Sequence, residues 1–187
     1  MALIDRVKKA SGKRDSDLDF FQTPSYATEI LIKYLVERGI KRIWEPACGE
    51  GMITKYLKKN GFEVFQSDIK KRKDNIVKFD FLSRTTYPPI RRFSFDAIIT
   101  NPPYEIKDEF IERCFELKKP FALFVPLFAI GGVKRVDMYL EYGVEFLVPD
   151  KRTNFIYPDG GDRNWFHCFW LCHDILPEKL MFVKMRR

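Results

Sequence analysis

No apolar stretch in this 187-residue sequence approaches the ~20 residues that a bilayer-spanning helix needs. The first fourteen residues carry charge and no apolar centre, so they do not read as a secretory leader. Cysteine is scarce. Cys48, Cys114, Cys168 and Cys172 are too few and too unevenly spaced for a disulfide framework, which points to a reducing, cytoplasmic setting. Internal repeats and low-complexity segments are lacking as well. What is present is a composition of 45% hydrophobic and 32% charged residues, ordinary for one globular domain with a real core. Lys and Arg number 33 against 26 acids, a net charge of +7, and a pI near 9.2 favours a polyanionic partner.

Residues 1–19 hold Lys8, Lys9, Lys13 and Arg14 and little that packs, and are expected to form a mobile basic arm. Residues 20–187 are expected to form a single domain. Ala27, Ile30, Leu31, Tyr34 and Leu35 recur at helical spacing, with Thr23 as the expected N-cap, Pro24 at the first helical position and Gly39 as the stop. Short apolar runs then alternate with helical patterns. Strands are expected at Arg42–Trp44, Glu63–Gln66, Ile76–Phe79, Phe95–Thr100 and Phe121–Val125. Helix faces are expected at Met52–Leu57, at Phe110–Phe115, and at Val133, Val136, Tyr139 and Leu140. This alternation predicts an α/β fold with a mostly parallel, doubly wound, Rossmann-like sheet. Val144–Val148, Asn154–Tyr157 and Trp165–Leu171 read as strands with no helix between them, which predicts an antiparallel C-terminal end.

In such sheets ligands bind beyond the carboxyl ends of the strands, and four features fall there. Glu45-Pro46-Ala47-Cys48-Gly49-Glu50-Gly51 lies between a strand and a helix, and its glycines let the backbone come close to a ligand. Asp68 ends the next strand, 19 residues after Gly49, a spacing suited to a carboxylate gripping ribose hydroxyls. Asp80-Phe81 offers an acid and an aromatic for the edge and face of a purine. Asn101-Pro102-Pro103-Tyr104 follows a buried strand. A rigid turn explains the prolines there, but not an amide, a fixed carbonyl and an aromatic presented together.

Together with Phe21-Gln22-Thr23-Pro24, these motifs resemble the S-adenosylmethionine-dependent methyltransferases of exocyclic amines, specifically the adenine-N6 enzymes of compact phage and bacterial type. The resemblance runs from about residue 20 to residue 171, in the family's motif order. It implies S-adenosylmethionine as cofactor. Thr23 and Pro24 would then lie at its methionine end, with Glu45, Pro46, Ala47, Gly49 and Gly51 forming the turn against it. Asp68 would take the ribose, Asp80 the adenine amine, and Phe81 the ring. It also implies that Asn101 and the Pro102 carbonyl accept both hydrogens of the target amine, localising its lone pair, while Pro103 fixes the loop and Tyr104 stacks on an extruded base. Nucleic acid is the expected acceptor, DNA ahead of RNA. An RNA adenine or a protein glutamine methyltransferase shares the tetrad and stands as the alternative. A catalytically silent nucleic-acid-binding module is a reading of another class, disfavoured by the intact tetrad and glycine turn.

Lys151, Arg152, Asn154 and Arg163 lie in the one segment the sheet does not need and are expected to contact nucleic acid. No separate target-recognition domain fits in the 83 residues after Tyr104 (187 − 104), so recognition is expected to be short, relaxed or delegated to a partner protein. His167-Cys168 and Cys172-His173 invite a metal reading. In a strand, however, Cys168 and Cys172 stand roughly 13 Å apart, too far for one ion, and no metal is expected.

Overall fold

A computed structural model describes residues 22–84, 94–156, 162–163 and 167–186. The basic arm proposed from the sequence lies outside the described residues, as does the side chain of Arg163. Among the described residues ten strands and four α-helices follow in chain order: α1 (Ser25–Glu37), β1 (Arg42–Glu45), α2 (Met52–Lys59), β2 (Glu63–Asp68), β3 (Val77–Lys78), β4 (Ala97–Thr100), α3 (Lys107–Leu117), β5 (Phe121–Pro126), α4 (Val133–Tyr142), β6 (Glu145–Pro149), β7 (Phe155–Ile156), β8 (Asp162–Arg163), β9 (Cys168–His173) and β10 (Leu180–Val183). Eight strands form one sheet in the order β10-β6-β9-β5-β4-β1-β2-β3. All neighbours are parallel except β9, which runs antiparallel to both β5 and β6. The expected doubly wound sheet with an antiparallel strand near its C-terminal end is therefore present.

The two sheet faces are separated by side-chain alternation along each strand. In β5, Ala122 and Phe124 face the α1–α2 layer, where Leu31, Leu35, Ile53 and Leu57 pack with Leu147 and Trp170. Phe121, Leu123 and Val125 face the other layer, where Phe110, Ile111, Cys114 and Phe115 of α3 pack with Trp44, Phe169 and Leu171. All five residues from Phe121 to Val125 are fully buried, which is why this strand reads as an unbroken apolar run. Trp170 donates from its indole to the Ala27 carbonyl at 2.7 Å and so locks α1 onto β9.

Three sequence expectations need correction, and one strand is new. The N-cap of α1 is Pro24, not Thr23, which is buried with its hydroxyl bonded to no described residue. Val133, Val136 and Leu140 do not form the packing face of α4. They are exposed, because Arg135 reaches back to Asp108 and turns Met138 and Tyr139 toward the sheet instead. The Asn154–Tyr157 segment does not join the main sheet: its described strand, β7, pairs with β8 in a separate ribbon. The edge strand β10 was not anticipated. It carries no long apolar run, and half of its residues face outward. Among the described residues no helix is long and apolar enough to cross a membrane, and no three His, Cys, Asp or Glu side chains group to hold a metal.

Candidate active site at the carboxyl edge of the sheet

Parallel pairing brings the ends of β1, β2, β3, β4 and β5 to one edge, and the glycine turn occupies its centre. Gly49 and Gly51 adopt left-handed φ of 54° and 81°. A Cβ on Gly51 would stand 3.3 Å from Gln66 Oε1, so both backbone sign and space select glycine there. The turn is pinned to β2. Cys48 N–H donates to the Ser67 carbonyl at 3.1 Å, and Gly49 N–H donates to Asp68 Oδ2 at 2.8 Å. The other Asp68 oxygen accepts from Lys70 N–H at 2.9 Å. Each oxygen uses one lone pair in this way and keeps another for a donor such as a hydroxyl.

Glu45 closes the floor of the turn. It is 1% exposed, and Thr54 Oγ1 donates to its Oε2. Burial, with the nearby Asp68 charge adding to it, pushes its pKa up to about 8, so Glu45 is mainly neutral at pH 7. Burial also raises the Cys48 thiol, with Glu45 and Asp68 adding to the shift, which makes that cysteine an inert packing group.

Pro46, Ala47, Asp68, Asp80, Phe81 and Pro103 line a single cleft of about 50 Å³. A purine ring needs more room than that, and the half-buried Ile69 and Leu82 lie among its lining side chains. Asp80 caps its own turn by accepting from Leu82 N–H at 3.0 Å. Phe81 presents an edge-on ring to Trp44 at 5.2 Å and lies 4.8 Å from Phe110, so its position is fixed by the core. The cleft thus joins the glycine turn and both strand-end acids to the proline loop.

Asn101 is half-buried at the end of β4, and Pro102 is buried behind it. Tyr104, expected to stack on an extruded base, is packed into the core. It is 7% exposed, its hydroxyl meets Cys168 Sγ at 3.5 Å, and its ring stands edge-on to Phe155 at 6.3 Å. Thr23 is brought to this same edge by the Gln22–Ile156 bridge, and its buried hydroxyl adds a polar atom in need of a partner. Lys151 and Arg152 are exposed beyond β6, while the Asn154 backbone is held by the Tyr26 hydroxyl at 2.9 Å. His167 Nε2 meets the Pro149 carbonyl at 2.7 Å, and His173 stacks on Phe121.

No protein-family model matches this sequence, and no curated protein matches it. Solved structures do. The modification subunit described for a type I restriction enzyme of Vibrio vulnificus superposes over 99% of this chain with a TM-score of 0.55 at 12% identity. This chain spans about half of that subunit, 51%. The 23S rRNA methyltransferase ErmE superposes over 80% of this chain and 69% of its own, with a TM-score of 0.53 at 18% identity. At these identities the likeness establishes the fold: a Rossmann-like sheet of the kind found in methyltransferases.

Proposed function

We propose that this protein transfers a methyl group from S-adenosylmethionine to the N6 amine of adenine in nucleic acid, with DNA ahead of RNA. The observation that carries this reading is the shared cleft. Pro103 of the Asn101–Tyr104 loop lines the same space as Asp68 and Asp80, so the proline loop borders the cleft that holds the acids suited to a nucleoside. The residues present fit the cofactor. The free lone pairs of Asp68 suit ribose hydroxyls, the glycine turn allows close backbone approach, and the buried Thr23 hydroxyl needs a polar partner. An ammonium brought beside Glu45 would favour its carboxylate form.

When bound, S-adenosylmethionine supplies an electrophilic methyl group on a sulfonium. The chain's own residues supply position. Asn101 and the Pro102 carbonyl accept the two amine hydrogens, which restores lone-pair character to a nitrogen otherwise conjugated into the ring. The locked φ angles of Pro102 and Pro103 fix the direction of that carbonyl. The fold neighbours described as a restriction-enzyme modification subunit and an rRNA methyltransferase support nucleic acid as the acceptor. Lys151, Arg152 and Asn154 extend the same edge and are proposed to meet the strand.

Asn101→Ala tests the mechanism. Single-turnover transfer of labelled methyl to an adenine-containing oligonucleotide should fall ~10²–10³-fold while cofactor binding stays near wild type. Full activity in the variant would overturn the role of Asn101, and a nucleoside product other than N6-methyladenine would overturn the substrate.

A further inference from the structure

The turn after β5, Leu127–Ile130, has a property the proposed chemistry does not use. Leu127, Phe128 and Ile130 are 42%, 60% and 41% exposed, three large apolar side chains within four residues. Their backbone is nonetheless held firmly. Leu127 N–H donates to the His167 carbonyl at 2.8 Å, and Tyr139 Oη donates to the Ala129 carbonyl at 3.0 Å. Arg135 donates from Nη2 to the Phe128 carbonyl at 3.5 Å and from Nε to the Gly131 carbonyl at 2.7 Å, while Nη1 holds Asp108 at 2.6–2.7 Å. Ala129 plugs the turn into the core at 0% exposure. A fixed scaffold therefore presents apolar groups to water, an arrangement that suits a binding surface.

Place and charge identify the occupant. β4 and β5 are adjacent and parallel, so this turn and the Asn101–Tyr104 loop are neighbours on one edge. Lys107 Nζ lies 5.3 Å from the Phe128 ring centroid, a cation on one side of a ring that is otherwise open. Lys151 and Arg152 are exposed on the turn after β6 at the same edge, and Asp108 is matched by Arg135 and Lys107. Glu105 and Asp150 are exposed acids of the same edge, and Lys184 lies 3.5 Å from Asp150. On the outer side, between α3 and α4, a groove of about 850 Å³ is lined by Glu109, Glu112, Glu116 and Glu141 against Lys118 and Lys134, an acidic balance that disfavours a phosphate chain. The charge balance of this edge favours a polyanion across the Phe128 turn over one along the helices.

We propose that Leu127–Ile130 is a base-stacking platform, with Phe128 receiving the face of a base that flanks the reacting adenine. This rests on the reading that the acceptor is nucleic acid. Stacking of one base on an aromatic side chain is worth ~1–3 kcal/mol, or roughly 5- to 150-fold in affinity. It involves no phosphate, so it should leave the salt slope of binding unchanged.

The test measures binding of a fluorescent adenine-containing oligonucleotide to wild type, Phe128→Ser and Phe128→Trp, across salt, with S-adenosylmethionine binding as a folding control. Phe128→Ser should weaken binding at least 5-fold with an unaltered salt slope, and Phe128→Trp should restore it. An otherwise identical oligonucleotide carrying abasic sites should bind wild type and Phe128→Ser equally. Equal affinity of Phe128→Ser and wild type for the intact strand overturns the platform and leaves the proposed function standing. So does an equal loss on intact and abasic strands. If the wild type with bound cofactor holds no oligonucleotide at all, the acceptor reading falls and the platform falls with it. Self-association through this turn, seen by sedimentation and abolished in Phe128→Ser without any change in oligonucleotide binding, would make it a protein interface instead.

Discussion

Replacing Glu45 with Gln should make stability less sensitive to pH, and the size of the effect follows from burial. The carboxyl group is 1% exposed and its pKa rises from 4.5 to about 8, chiefly because burial disfavours the charged form. An acid with a higher pKa folded than unfolded keeps its proton where the unfolded chain has lost it. Stability contributed by the neutral group is therefore complete below about pH 4.5, falls as pH rises, and levels off above about pH 8. Each pH unit within that window is worth ~1.4 kcal/mol, so from pH 5 to pH 8 the wild type should lose at most about 4 kcal/mol through this residue. Glu45→Gln keeps an oxygen for the Thr54 hydroxyl and removes the titration. Urea denaturation of both proteins at constant ionic strength, from pH 5 to pH 9, isolates the residue because other groups titrate alike in the two. The variant should gain roughly 2–4 kcal/mol on the wild type across the window. Parallel stability curves would show that Glu45 is not neutral in the folded protein.

Gly51→Ala should destabilise the fold by ~1–2 kcal/mol and weaken cofactor-induced thermal stabilisation, since the new Cβ meets both a φ of 81° and Gln66 Oε1 at 3.3 Å. Gly39→Ala is the control, with a φ of 69° but open space around its Cβ. Lys151→Ala and Arg152→Ala should each reduce the salt slope of nucleic-acid binding by ~1, with no change in S-adenosylmethionine binding. An unchanged slope would remove that residue from the phosphate-contacting set.

Much of the central sheet was legible because strands covered on both faces leave continuous apolar runs, as Phe121–Val125 does. The glycine turn was equally legible, since Gly49 and Gly51 mark a backbone shape that other residues resist. The edge strand β10 was not, because Leu180-Met181-Phe182-Val183 alternates between the sheet's inner face and solvent. At α4 two overlapping apolar periodicities compete. The deciding residue is a charged one, Arg135, whose long-range tie to Asp108 no local pattern contains. Thr23 followed by Pro24 reads as a helix cap, yet tertiary burial gave that threonine a different environment. The aromatic character of Tyr104 was visible, whereas its cover by Cys168 and Phe155 depends on strands more than fifty residues away.

The single reversed strand also governs the order of assembly. β9 lies between β5 and β6, pairing Phe121–Pro126 on one side and Glu145–Leu147 on the other, so the two strands join one sheet only through it. During synthesis the chain must emerge past His173 before the sheet closes. Until then β5 and β6 each expose an unpaired, apolar edge. Once inserted, β9 is sealed by Glu145, whose carboxylate accepts the N–H groups of Asp174, Ile175 and Leu176 at 2.8–3.1 Å. Closure of this sheet is therefore a late and non-local step. The folding intermediate most exposed to aggregation is the one that has made its cofactor turn and still waits for residues 168–173.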